Sequence, residues 1–206
     1  RYVELGSGFQ IASHDLEIRG GGNLLGPEQS GHVSAVGFDL FIELLDEAVH
    51  EAKKQPLEAS HIEPEIKVPF SAYLPDTYVA DIHHRLTLYR RLSSSTDLET
   101  AQEIEAELMD RFGPLPEVVT NLLWLIRIKI LLKAENIQAL SVGKGGLSLM
   151  LGATSTLNID KIISFAASHP NEHQISPDSK WVVKTQTPDM KSLFFEIEKI
   201  LALAKR

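Results

Sequence analysis

From residue 38 onward the apolar residues fall at two alternating spacings, and the spacing assigns the elements. Phe38, Phe41, Leu44, Leu45, Ala48, Val49 and Ala52 recur three and four apart, the interval that gathers side chains on one face of a helix. Acidic Asp39, Glu43, Asp46 and Glu47 stand early in that stretch and Lys53 and Lys54 late, as the helix dipole favours. Gln55-Pro56 ends it. A polar connector (residues 57–64, LEASHIEP) leads into an extended segment, 65–70, in which Ile66, Val68 and Phe70 alternate. Tyr73-Leu74-Pro75-Asp76 turns into a second helix with Val79, Ile82, Leu86 and Tyr89 on one face and Asp76 or Thr77 as its cap. A third helix opens after Thr96-Asp97, presents Leu98, Ala101, Ile104 and Leu108, and stops at Gly113-Pro114. A fourth begins near Pro116. Its Leu122, Leu123, Leu125, Ile126, Ile128, Ile130, Leu131 and Leu132 make it apolar nearly all round, the pattern of a helix buried at the centre of a domain.

Between residues 137 and 151 the period changes to two. Leu140 and Val142, then Leu147, Leu149 and Leu151, alternate about Gly143-Lys144-Gly145-Gly146, which predicts a β-hairpin. Helical spacing returns at 157–167 through Ile159, Ile162, Ile163 and Ala166. Residues 181–185 read as another strand. A last amphipathic helix, 189–204, carries Leu193, Phe194, Ile197, Ile200 and Leu201. The fold class is therefore α+β: a helical body packed on a small antiparallel sheet, preceded by a largely irregular segment with one helix.

The chain of 206 residues is 43% hydrophobic and 23% charged, an ordinary globular composition. A chain of this length buries roughly 70% of its unfolded surface and needs no disulfide or metal to fold. It has no cysteine, which excludes disulfides, thiolate catalysis and cysteine-based zinc sites and fits a reducing, cytoplasmic location. No run of 18 apolar residues is present, so no membrane partner is expected. The chain starts at Arg1-Tyr2 without methionine and reads as a piece of a longer protein. A net charge of −8 argues against a fragment that holds nucleic acid by itself, because phosphate affinity comes from clustered Lys and Arg.

The densest chemistry lies at residues 5–38, LGSGFQIASHDLEIRGGGNLLGPEQSGHVSAVGF. Asp15-Leu16-Glu17-Ile18-Arg19 runs into Gly20-Gly21-Gly22, and Gln29-Ser30-Gly31 precedes the first helix. Successive glycines open backbone conformations closed to other residues and permit close approach to another surface. The loop lacks the Lys-Ser/Thr pair of a phosphate-binding loop and follows no βα unit, so it is not read as a nucleotide site. The wording of Gly8-Phe9, Ile11-Ala12, residues 15–20, residues 22–26, Gln29-Ser30-Gly31 and Gly37-Phe38-Asp39 closely resembles the TRG motif of RecG helicase and of the transcription-repair coupling factor. That resemblance implies a segment beside a helicase motor that couples ATP-driven closure to DNA movement, with Arg19 and Gln29 as the working residues. Asp15, Glu17, Gly20, Gly22 and Gly31 would shape the loop around them. A guanidinium holds a carboxylate or phosphate through two parallel bonds, and a glutamine donates and accepts at once. The plainer alternative is that Arg19 pairs with Asp15 or Glu17 merely to form the turn.

Residues 65–206 resemble the C-terminal domain of the same coupling factor in Leu74-Pro75-Asp76, in Arg85-Leu86 with Tyr89-Arg90-Arg91, and in residues 107–113, ELMDRFG. RecG has no comparable domain after its TRG motif. The resemblance implies three parts: a translocation segment (1–56), a connector and extended segment (57–70), and a regulatory domain (71–206). It implies a parent that is an ATP-dependent DNA translocase, binding double-stranded DNA, displacing stalled RNA polymerase and recruiting UvrA. ATP and Mg would belong to that parent's motor domains, and this fragment would be neither an enzyme nor a cofactor carrier. Glu107, Asp110 and Arg111 stand at i, i+3 and i+4 and so cluster on one helix flank. By resemblance they match the surface that covers the parent's own N-terminal UvrA-binding module. By pattern alone they are a solvated face.

His83, His84, Arg85, Arg90 and Arg91 form a short basic run without interleaved aromatics, read as a solvated helix face rather than a DNA site. His169 and His173 have ligand-like spacing, but Pro170 interrupts them and no third ligand is evident. Two rivals stay open, beside the lesser variant of a RecG-like helicase C-terminus, which the long C-terminal domain opposes. One is a free-standing acidic adaptor domain that binds a protein partner. The other is an enzyme built on His14, His32, Asp15 and Glu28.

Overall fold

The hairpin about residues 143–146 organises the sheet. The computed structural model describes residues 63–205. In chain order the elements are β1 (Glu65–Lys67), α1 (Ile82–Ser93), α2 (Leu98–Phe112), α3 (Glu117–Ala134), β2 (Ile137–Gly143), β3 (Gly146–Leu151), α4 (Ile159–Ser168), β4 (His173–Ile175), β5 (Lys180–Val183) and α5 (Met190–Ala204). The strands form one sheet in the order β1-β2-β3-β5-β4, and the class is α+β as the periodicities require.

Strand pairing lines the core-facing residues into rows. Ile66 of β1 stands beside Leu140 of β2, which faces Leu149 of β3, then Trp181 of β5 and Ile175 of β4. The next row joins Val142, Leu147, Val183 and His173. A one-residue slip would turn every one of these side chains to the other face, so burial holds the register. Gly146 closes the turn at φ +142°, and a Cβ there would lie 2.0 Å from the Val183 carbonyl oxygen. Only glycine fits that approach of β3 to β5.

The sheet is mixed rather than wholly antiparallel, because β1 runs parallel to β2. Three helices lie between these two strands in the chain, and a parallel pairing needs such a long crossover. Strand β4 has three residues, two of them His173 and Gln174, too short and too polar for a period to mark it.

Helix α3 is the hub. Val119, Leu122, Leu123, Leu125, Ile126, Ile128 and Leu132 are buried around its circumference, as its all-round apolar composition requires, and α1, α2, α5 and β2 pack on it. Burying a side chain of this size contributes about 1.5–3 kcal/mol. Lys129 on the same helix is only 7% exposed, with its Nζ 2.7 Å from Glu63 Oε2, while Lys133 bonds Oε1 of the same carboxylate. Burial acts to raise the Glu63 pKa, but the two lysines outweigh it and hold the carboxyl below its usual range. Helix α5 covers α3 with Leu193, Phe194, Ile197, Ile200 and Leu201. On α4 only Ile162 and Ala166 turn inward, while Ile159 and Ile163 remain exposed.

Helix α1 starts later than the sequence indicates. Its cap is Asp81, whose carboxylate accepts the His84 amide at 2.8 Å, and neither Asp76 nor Thr77 caps it. Residues 75–79 form a tight turn instead, in which the Pro75 carbonyl accepts the Tyr78 and Val79 amides, both at 3.0 Å. Val79 is still fully buried, so the apolar spacing placed it in the core though it precedes the helix. Among the described residues no helix is long and apolar enough to cross a membrane.

Candidate functional site

Helix α2 presents the charged flank singled out in the sequence. Asp97 caps it, accepting the Thr100 amide at 2.7 Å and the Thr100 hydroxyl at 3.0 Å; the Thr100 bonds hold the Asp97 carboxyl below its usual range. Ala101, Ile104 and Leu108 face the core. At the other end Gly113 takes φ +85° and returns its amide to the Met109 carbonyl at 3.0 Å, a positive-φ stop that glycine adopts without a Cβ clash. The Tyr78 hydroxyl lies 3.0 Å from both the Leu108 and Gly113 carbonyl oxygens, and its ring packs on Phe112 at 5.8 Å. This end of the helix is thereby held against the loop of residues 71–80.

On this frame Glu107 is half-buried, and Asp110 and Arg111 are exposed. Arg111 Nη1 donates to Glu107 Oε1 at 2.6 Å, the i, i+4 pair the spacing predicts. Arg91 of α1 meets the other carboxylate oxygen, Oε2, also at 2.6 Å. Both guanidinium groups, Arg111 foremost, hold the Glu107 carboxyl below its usual range. The Arg111 guanidinium also lies 5.1 Å over the Phe112 ring. Asp110 stays outside this network. Met109, between them in sequence, is 53% exposed. Glu107 and Arg111 are thus brought together, Asp110 is left facing solvent beside them, and Arg91 enters as a partner that sequence spacing could not supply. Fifteen residues, a loop among them, separate it from Glu107, so no helical interval links the two.

The rest of the basic run divides. Arg85 Nη1 turns back to the Val79 and Ala80 carbonyls at 2.6 and 3.0 Å, while His83, His84 and Arg90 are exposed. A second pair outside the sequence reading joins Glu105 to Arg127, and Arg127 stacks 4.6 Å over Trp124. His173 is buried at 7% exposure, edge-on to Phe165 at 4.8 Å and beside Trp181 at 5.9 Å. Burial lowers its pKa. His169 stacks on Phe165 at 4.4 Å. Among the described residues no three His, Cys, Asp or Glu side chains gather as metal ligands. Asp15, Glu17, Arg19, Gly20, Gly22, Gln29 and Gly31, the His14, His32 and Glu28 of the enzyme alternative, and the helix beginning at Phe38 lie outside the described residues.

Residues 68–162 of this α+β domain match the family model described as the TRCF domain. A crystal structure of the C-terminal domain of transcription-repair coupling factor shares the fold, with a TM-score of 0.57 at 24% identity, covering 69% of this chain and 94% of that one. Over 201 residues, 97% of this chain, the sequence is 39% identical to the transcription-repair-coupling factor of Myxococcus xanthus. Identity is 36% over 193 residues (91% of this chain) with that of Haemophilus influenzae, and 37% over 159 residues (77%) with that of Bacillus subtilis. The chain belongs to the transcription-repair coupling factor family, as a C-terminal part of such a protein. It spans 14–17% of the length of these three relatives.

Proposed function

We propose that this chain is the regulatory end of a DNA-dependent ATPase that couples repair to transcription. Residues 1–56 are the translocation segment behind the helicase motor, with Arg19 and Gln29 transmitting its closure to DNA. Residues 57–70 connect it to a regulatory domain, 71–206, that covers the protein's own N-terminal UvrA-binding module until the motor engages. The parent moves on double-stranded DNA, displaces stalled RNA polymerase and recruits UvrA. ATP and Mg act in its motor domains, and this part hydrolyses nothing.

One observation carries the masking role: Glu107, Asp110 and Arg111 on a flank of α2, a helix anchored at both ends, form a mixed-sign patch with Arg91 of α1. Charge complementarity gives such a patch specificity for one partner, and its release exposes no large apolar area. A two-state contact of this kind responds to the motor if motor engagement favours the open state.

The test compares the full-length parent with a variant lacking residues 63–206, each titrated against UvrA. The deletion starts at 63 because β1 is hydrogen-bonded into the sheet and Glu63 is bound to α3. Tighter binding by the deletion variant is the expected result. Unchanged binding would overturn masking and leave the domain as an adaptor with a partner of its own.

A further inference from the structure

Arg91 sits in the last turn of α1, where its carbonyl accepts the Ser94 and Ser95 hydroxyls at 3.1 and 3.0 Å. Its side chain leaves that helix and meets Glu107 Oε2 on α2, while Arg111 meets Oε1. The Glu107 side chain is 27% exposed, against 44% for Arg91 and 42% for Arg111. Each oxygen of this recessed carboxylate is therefore already committed to a guanidinium of the same chain. Asp110, exposed on the same flank, has no ion pair among the described residues. Arg111 is steered by the Phe112 ring beneath it and by its own helix. Arg91 comes from a different helix, so its bond to Glu107 ties the patch to the placement of α1 beside α2, both of which pack on α3.

We propose that Arg91 is a positioning residue for the α2 contact: it fixes Glu107 against Arg111, so that a partner meets Asp110 and the outward N–H groups of the two arginines. Glu107 then acts indirectly, as the anchor of both guanidinium groups. Each arginine has five N–H donors and spends one of them on Glu107, which leaves donors facing outward. The surface that fits places a basic side chain opposite Asp110 and carboxylate or carbonyl oxygens opposite Arg91 and Arg111. This inference rests on the masking reading and names the residue that sets how firmly the mask closes.

The experiment titrates UvrA against the full-length parent as wild type, Arg91→Met, Arg91→Lys, Glu107→Gln, the Arg91→Met/Glu107→Gln double variant and the 63–206 deletion. Loss of one partly exposed ion pair changes an equilibrium roughly two- to fivefold. Arg91→Met is expected to tighten UvrA binding by about that factor, and Arg91→Lys, which keeps a cation beside Glu107, to stay near wild type. The double variant is expected to exceed neither single variant by much, because both changes cut the same network. Wild-type binding by Arg91→Met beside a deletion that tightens binding would overturn this proposal alone. Equal shifts in the Met and Lys variants, or additive shifts in the double variant, would overturn it as well, by showing that packing or independent contacts are at work. A deletion without effect would overturn the masking reading and this proposal with it.

Discussion

Tyr89→Phe removes one oxygen atom from the centre of the domain and tests how the α2 flank is held. Tyr89 is 1% exposed, and its hydroxyl oxygen accepts the amide of fully buried Leu74 at 2.7 Å. Leu74 belongs to the loop that carries Tyr78, whose hydroxyl grips the last turn of α2. The phenylalanine ring keeps the packing while the acceptor for the Leu74 amide is lost. A net hydrogen bond contributes about 0.5–1.5 kcal/mol, and a buried donor left without an acceptor costs about 1–3 kcal/mol. The expected destabilisation is about 2 kcal/mol. For a domain of this size that lowers the melting temperature by about 4–8 °C. Urea unfolding of the chain should show a lower midpoint at an unchanged slope, since the surface exposed on unfolding is the same. A midpoint equal to wild type would show that the Leu74 amide finds another acceptor, and that Tyr89 does not pin the loop behind α2.

Three further outcomes are expected. Gly146→Ala places a Cβ against the Val183 carbonyl at a backbone angle disfavoured for alanine, and should cost at least about 2 kcal/mol; a denaturation midpoint within error of wild type would refute it. His173 has its folded pKa lowered, by burial first, so the unfolded chain binds the proton more readily. Stability from its neutral form is complete above the ordinary histidine pKa of about 6.5 and is lost as pH falls toward the folded value. Glu172, His169, Glu196 and Lys199 surround the ring electrostatically, and His173→Leu should flatten that limb of a stability–pH curve. An identical limb in the variant would assign it to another group. In the full-length parent, Arg19→Ala should leave ATP turnover largely intact while stopping DNA translocation; normal translocation would remove Arg19 from the coupling path.

The chain by itself determined what depends on neighbours a few residues apart. The apolar circumference of residues 117–134 placed a helix at the centre. Gly113-Pro114 marked the end of α2, alternation about residues 143–146 made the hairpin, and the i, i+4 spacing brought Arg111 to Glu107. Family wording singled out the α2 flank, which the proposed function makes a place of contact. Tertiary structure alone decided what depends on distant chain segments meeting. Whether Asp76 or Asp81 capped α1 turned on the turn that Pro75 closes and on Tyr78 reaching the end of α2. The direction of β1 and the existence of β4 followed from which strands lay beside them, since a three-residue strand carries too little period to declare itself. His173 became a core residue because strand pairing put it next to Val183, and Arg91 became part of the charged patch because α1 packs within reach of α2. Helical and strand periods encode which face of an element is buried, but the partner across that face is selected by packing of the whole chain.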